Sequence, residues 1–174
     1  GKLTLKLDPN ILQSFSKKYD LVIVTGTNGK TLTTALSVRV LREKYDQVLT
    51  NPTGSNMEQG IVTTFITAPR AKKKGLAVLE VDEANVPIVC RYITPKAFVF
   101  TNIFRDQMDR YGEIYTTYNK ILRGVKLAPK ATIIANGDEQ LFHSKDLPNP
   151  IIYYGFNHEH HEAFNAPANT DGLL

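Results

Sequence analysis

A single cysteine in 174 residues, Cys90, excludes an internal disulfide and any metal site built from several thiolates. It closes the apolar run Val86-Pro87-Ile88-Val89-Cys90, so a buried, unreactive thiol is expected. No stretch approaches the roughly 18 consecutive apolar residues of a membrane span. No signal-peptide pattern opens the chain, and the expected compartment is the cytoplasm. Charge of one sign is scarce too: 21 Lys and Arg stand against 17 Asp and Glu, a net +4. A nucleic-acid binder needs a basic face with motif or aromatic support. The densest basic run, Arg70-Ala71-Lys72-Lys73-Lys74, adjoins Gly75 in an expected loop and reads as a solvated segment, so no nucleic-acid partner is expected. Internal repeats and low-complexity segments are absent. What remains, 42% hydrophobic and 22% charged residues, is the composition of one globular domain large enough to bury a core.

The organising stretch is Leu21 to Lys44, LVIVTGTNGKTLTTALSVRVLREK. Leu21 to Val24 are apolar and rich in branched types, the mark of a short buried strand. The end of the stretch reads as a helix with Leu36, Val40 and Leu41 on one face. Between them lies Thr25-Gly26-Thr27-Asn28-Gly29-Lys30-Thr31. A glycine loop between strand and helix turns its backbone N–H groups, and the helix N-terminus, toward a phosphate. Lys30 would add a charge for the β- and γ-phosphates, and the Thr31 hydroxyl could hold Mg²⁺. The general phosphate-loop pattern asks for a further glycine where this chain has Val24. The strand before and the helix after supply the context the pattern demands; the competing account is a strand–turn–helix that merely needs its glycines.

Elsewhere, Leu3-Thr4-Leu5-Lys6-Leu7 alternates like a short strand, and Asp8-Pro9-Asn10 can start a helix with Ile11, Leu12 and Phe15 on one face. Opening on Gly1 in a strand pattern, without Met, fits a piece excised from a longer chain. Strands are predicted over Gln47–Thr50, Leu76–Val81, Ala97–Thr101, Ala131–Ala135 and Ile151–Tyr154. Helices are predicted over Glu58–Thr67, over Ala84–Tyr92 despite Pro87, and over Glu113–Val125. Alternating strands and helices, with strands apolar throughout, imply an α/β, three-layer fold of phosphate-loop type. Its mostly parallel sheet has about six strands and helices on both faces. Ligands of such sheets bind beyond the carboxyl ends of the strands.

The segments after the strands are therefore the candidates. Asn51-Pro52-Thr53-Gly54-Ser55-Asn56 can be a substrate or lid loop, or an ordinary turn. Glu80-Val81-Asp82-Glu83 places acids at the end of an apolar strand, where a carboxylate can face a triphosphate's Mg²⁺. Glu80 is favoured because it ends the apolar run, where burial without a partner is costly. The alternative is that all three acids are solvated or cap the next helix. Thr101 to Gly112 crowds Asn102, Arg105, Asp106, Gln107, Asp109 and Arg110 together, able to bind an anion and a metal or merely to pair among themselves. Asn136-Gly137-Asp138-Glu139 can read an adenine edge or simply turn, and spacing does not choose. His158, His160 and His161 around Glu159 could form a metal site, but a polar tail is the favoured reading.

These motifs resemble the Mur ligase superfamily. Gly26-Thr27-Asn28-Gly29-Lys30-Thr31 is similar to its phosphate loop, which tolerates a non-glycine at the Val24 position. Glu80 at the end of Leu76-Ala77-Val78-Leu79-Glu80 matches its Mg²⁺ carboxylate. Thr101-Asn102-Ile103 with Asp106-Gln107-Met108-Asp109-Arg110-Tyr111 resembles its Thr-Asn…Asp-His-Met-Asp-Arg-Tyr segment, and Asn136-Gly137-Asp138 its Asn-x-Asp adenine contact. Gln107 stands where the peptide-adding members carry a metal-binding His, a weaker but still hard oxygen donor that leaves a second metal in question. Lys120 falls about two residues from the position of the family's carbamoylated lysine, so that role is not transferred. Phe104 to Ile114, Glu80 to Ala84 and Asn51 to Met57 are most similar to the MurT branch, the synthetase half of MurT–GatD lipid II isoglutaminyl synthases.

The resemblance implies ATP and Mg²⁺, with Lys30 and Glu80 catalytic. It puts the nucleotide on Gly26, Thr27, Asn28, Gly29, Lys30, Thr31, Asn102, Asn136 and Asp138, and the metal on Thr31, Glu80 and Gln107. It implies amidation of the D-Glu α-carboxylate of lipid II at the membrane surface, through an acyl phosphate, with ammonia from a GatD-type glutamine amidotransferase subunit. The rivals are an amino-acid-adding ligase of the same superfamily, such as a folylpolyglutamate synthetase, and a non-catalytic nucleotide-binding module. Expected divisions are a lead-in over 1–20, the ATP-binding central domain over 21–156, and a mobile tail over 157–174. That tail would lead to a zinc ribbon and a C-terminal domain beyond Leu174, so zinc is expected only there and the piece alone should not complete turnover.

Overall fold

Residues Leu21, Ile23, Ala77, Leu79, Phe98 and Phe100 turn to one side of a sheet, and Val22, Val24, Leu76, Val78 and Val99 to the other. Both sides are apolar, so these strands must sit in the middle of a covered sheet. The computed structural model describes residues 1–69, 74–103, 112–143 and 147–156, with the side chains of 112–114 excepted. Its strands are β1 (Tyr19–Thr25), β2 (Val48–Leu49), β3 (Gly75–Glu80), β4 (Ala97–Phe100), β5 (Thr132–Asn136) and β6 (Ile151–Tyr154). They form one sheet in the order β2-β3-β1-β4-β5-β6, and all five pairings are parallel. The expected α/β architecture is therefore present.

Register brings the strand ends to one edge. Val24 lies beside Glu80, Thr25 beside Phe100, Ala135 beside Phe100, and Asn136 beside Tyr154. Helices α1 (Lys2–Leu7), α2 (Ile11–Ser16), α4 (Glu58–Thr67), α5 (Val86–Val89) and α6 (Gly112–Val125) accompany the larger core cluster. An aromatic group seals it: Phe100 and Tyr118 each pack on Phe142, with centroids 5.3 and 5.9 Å apart. Cys90 lies in this cluster, 6% exposed, and burial pushes its thiol pKa up to about 12.

Helix α3 (Lys30–Leu41) covers the opposite side, and its orientation corrects the sequence reading. The expected inward face, Leu36, Val40 and Leu41, is not the one used. Thr34 and Val38 are buried and Leu41 is partly buried, whereas Leu32, Leu36 and Val40 are 65, 54 and 70% exposed. The cause is at the helix start. Thr31 hydrogen-bonds Glu80 on the sheet, and residues 34, 38 and 41 follow it at helical spacing on the same side. The anchor sets the rotation, and the apolar stripe at 32, 36 and 40 is turned outward.

Two further differences have local causes. Residues Leu3–Leu7 form part of helix α1, not a strand: only Leu5 packs on the core while Leu3 and Leu7 stay exposed, so a single inward contact needs no sheet partner. Helix α5 is shorter than expected because Asp82 opens a separate turn, its Oδ1 accepting from the Ala84 N–H at 3.0 Å. A 3-10 turn, Gln140–His143, follows β5, where no sequence pattern marks one.

Ile23→Ala, which empties a fully buried position, is expected to cost about 2–5 kcal/mol of unfolding free energy. Leu36→Ala on the outward stripe should stay within about 0.5 kcal/mol. Urea titrations of the two variants measure both. A thiol-specific reagent should modify Cys90 only in denaturant; fast labelling of the native chain would contradict its burial.

Candidate functional site

At the carboxyl edge, residues 26–29 bridge β1 and α3 through two glycines with positive φ, Gly26 at 133° and Gly29 at 78°. A side chain at Gly26 would strike Thr101 Oγ1 and come within 2.7 Å of the Asn102 carbonyl, so the loop lies directly against the end of β4. Asn102 grips it there. Its carbonyl accepts from the Thr27 N–H at 2.7 Å, its Oδ1 from the Asn28 N–H at 2.9 Å, and its Nδ2 donates to the Asn28 carbonyl at 3.1 Å. Asn102, expected at the nucleotide, thus spends its amide on shaping the loop.

Lys30 Nζ reaches back over this loop. It donates to the Gly26 carbonyl, to the Thr27 carbonyl at 2.9 Å and to Glu83 Oε1 at 3.3 Å. One residue on, Thr31 Oγ1 donates to Glu80 Oε2 at 2.9 Å. Thr31 is exposed and Glu80 is 6% exposed, so the pair is open on the helix side and closed on the sheet side. A hydroxyl and a carboxylate this close are hard oxygen donors of the kind Mg²⁺ takes, and they fit such an ion. With the Thr27 and Asn28 N–H groups held by Asn102, the start of α3 and Lys30 are what the loop offers an anion.

Glu80 is held from behind by Asn51 and Asn56, two residues of the segment expected as a substrate or lid loop or an ordinary turn. Asn51, itself 6% exposed, accepts from the Glu80 N–H at 2.9 Å and donates to the Glu80 carbonyl at 2.9 Å and the Ser55 carbonyl at 3.0 Å. Asn56 Nδ2 adds a 3.3 Å bond to Glu80 Oε1. The loop after β2 therefore continues the sheet's hydrogen bonding past its last residue. Its position at a strand end was readable; its partner depended on β2 lying next to β3, which spacing does not give. Glu83, one of the three acids at and after the end of β3, lies beside Lys30. Burial raises its pKa above the usual carboxylate range, and the nearby Lys30 works against that rise. Asp82 turns away to cap its own turn through Ala84 and Asn85.

Asn136 and Asp138 lie two strands from the loop, roughly 10 Å across the sheet at about 4.8 Å per strand. Asn136 Oδ1 accepts from the Asp138 N–H at 3.0 Å, leaving Nδ2 without a partner among the described residues. Asp138 Oδ2 accepts from the Phe156 N–H at 3.1 Å, and His143 Nε2 donates to the Gly137 carbonyl at 2.8 Å while its ring stacks on Tyr153. The turn presents the Asn136 Nδ2 amide at the sheet edge. The structure thus brings Gly26, Thr27, Asn28, Gly29, Lys30, Thr31, Glu80 and Asn102 together and sets Asn136 and Asp138 apart on the same edge. Gln107, the basic run at 70–73 and the His158–His161 cluster lie outside the described residues. Among the described residues no group of three or more His, Cys, Asp or Glu is placed to hold a metal, and no helix is long and apolar enough to cross a membrane. A cavity bordered by Tyr19, Arg42, Val48 and Gly75 lies at the opposite, amino ends of the strands.

Asn51→Ala would strip a buried N–H and a buried carbonyl of Glu80 of their partners, an expected loss of about 2–4 kcal/mol. Asn56→Ala, losing one 3.3 Å bond, should cost less than about 1 kcal/mol. Equal costs in urea unfolding would contradict the clasp on Glu80.

Comparison with known proteins bears on this arrangement. Residues 24–173 match the Mur ligase middle domain. The chain is 58% identical over its whole length to the lipid II isoglutaminyl synthase (glutamine-hydrolyzing) subunit MurT of Streptococcus pneumoniae, of which it covers 39%. It is 37% identical over 93% of its length to the MurT subunit of Staphylococcus aureus, covering 37% of that protein. It thus spans about two fifths of the length of these curated relatives. Among solved structures, the MurF ligase of Thermotoga maritima in complex with ADP superposes with a TM-score of 0.69 at 19% identity, over 83% of this chain and 35% of that one. At that identity the likeness speaks for the fold alone, which agrees with the parallel sheet described above. Matched over most of its length, the chain belongs to the Mur ligase family and carries that family's middle domain.

Proposed function

We propose that this chain is the nucleotide-binding part of an ATP-dependent carbon–nitrogen ligase that amidates the D-Glu α-carboxylate of the lipid II stem peptide to D-isoglutamine. The observation that carries the reading is the 2.9 Å contact between Thr31 Oγ1 and Glu80 Oε2, with Lys30 on the same loop. A helix N-terminus, a cation and two hard oxygen donors, Thr31 at the start of α3 and Glu80 at the end of β3, are the parts that phosphoryl transfer requires. The identity to MurT subunits supports the choice of acceptor and nucleophile.

In this reading the triphosphate lies on residues 26–31 with its charge facing Lys30, and the base reaches toward Asn136 and Asp138. Thr31 and Glu80, with Gln107, would hold Mg²⁺, which when bound offsets charge on the phosphate oxygens. A carboxylate oxygen of D-Glu attacks the γ-phosphorus, ADP leaves, and an acyl phosphate forms. Ammonia adds to the acyl carbon, phosphate departs and a proton is lost, giving the amide. The ammonia comes from glutamine hydrolysed in a GatD-type glutamine amidotransferase subunit, in keeping with the subunit status of the MurT relatives. Lys30 stabilises charge that grows on the transferred group, where a preorganised donor is worth most.

Lys30→Ala in the complete chain with its glutaminase partner should lower ATP-dependent amidation by at least about 100-fold. Product formation followed by mass spectrometry measures it; a rate near wild type would remove Lys30, and with it the triphosphate reading. An amino acid accepted in place of ammonia would instead indicate an amino-acid-adding ligase.

A further inference from the structure

The place of Lys30 depends on a residue that no phosphate-binding pattern calls for. A lysine ammonium has three protons to donate, and here all three have takers: the Gly26 carbonyl, the Thr27 carbonyl at 2.9 Å and Glu83 Oε1 at 3.3 Å. The two carbonyls belong to the loop itself, so they travel with Lys30. Glu83 does not. It follows β3, on the far side of the loop from β4, and is the one partner that ties the lysine to the sheet. Both side chains are only 13% exposed, which separates this pair from the solvated ion pair of Lys74 with Asp20, at 54 and 44%. A partly desolvated pair with both members satisfied holds its geometry, whereas removing one member leaves a charge that must move or find water.

Glu83 also brings a penalty that a purely structural partner would avoid. A carboxylate beside a triphosphate repels it, and burial already disfavours its charged form. A neutral residue at this position would bind nucleotide better. What the carboxylate supplies is aim: a flexible four-carbon side chain is fixed before the phosphoryl group arrives, and preorganised charge lowers a barrier more than charge that must be gathered.

Resting on the triphosphate reading of residues 26–31, we infer that Glu83 is a positioning residue for Lys30. It sets the ammonium over the glycine loop and acts on phosphoryl transfer through that ammonium, without touching the nucleotide. Its two effects have opposite signs: it weakens nucleotide binding and speeds turnover.

The test is Glu83→Gln in the complete chain with its partner subunit, beside Lys30→Ala. Two quantities are read: the Kd of a non-hydrolysable ATP analogue by calorimetric titration, and kcat for amidation at saturating ATP. The expected result is a kcat at least tenfold lower with a Kd equal to or tighter than wild type. A kcat within twofold of wild type overturns the inference, and so does a Kd weakened in step with kcat, the mark of a disordered site. Should Glu83→Gln not fold, Glu83→Asp, which keeps the charge but shortens the reach, is read by the same split. If Lys30→Ala itself retains wild-type turnover, the triphosphate reading is what fails; if only Glu83→Gln is silent, that reading stands and the role of Glu83 falls.

Discussion

The hydrogen bond from Thr31 to Glu80 is the contact on which the rest of this structure turns. It joins the first turn of the helix after β1 to the last residue of β3, two elements 49 positions apart in sequence. Because β1 and β3 run parallel with Val24 beside Glu80, the helix leaving β1 must start just above the end of β3. Once Thr31 points down to Glu80, the helix has no freedom to rotate. Thr34, Val38 and Leu41 are carried onto the sheet, and Lys30 is carried over the glycine loop. The same contact thus orders the core on one side of the sheet and assembles the charged groups of the site at its edge.

Amides line the carboxyl edge of the sheet on which that contact lies. Asn102 shapes the loop from β4, Asn51 clasps the backbone of Glu80 from the end of β2, and Asn136 closes its own turn at the end of β5. Each sits at or just beyond the end of a strand, where backbone groups run out of ladder partners and a side-chain amide, donor and acceptor at once, can replace them.

Much of this was legible beforehand. Branched, unbroken apolar runs such as Leu21–Val24 and Leu76–Leu79 declared central parallel strands, and the glycines with Lys30 and Thr31 declared what sits between β1 and α3. The inward face of α3 was not legible, because Leu32, Leu36 and Val40 make a better apolar stripe than Thr34 and Val38 do. Periodicity reports which residues are apolar; the anchor at Thr31 decides which face turns inward. Asn51 was readable as a strand-end residue but not as Glu80's partner, since a two-residue strand leaves its neighbour in the sheet undetermined. Helix α1 read as a strand because five alternating residues are too few to separate the two periods. The outward stripe of α3 belongs to a chain that spans about two fifths of its curated relatives.

The measurement that tests the central claim most directly is calorimetric titration of the complete chain with a non-hydrolysable ATP analogue, with and without Mg²⁺, for wild type and Glu80→Gln. If Thr31 and Glu80 form the metal side of a triphosphate site, wild type binds one equivalent and Mg²⁺ strengthens that binding at least tenfold. In Glu80→Gln the Mg²⁺ effect disappears while metal-free binding persists. Equal strengthening by Mg²⁺ in both proteins would contradict the account, as would binding indifferent to the metal in wild type.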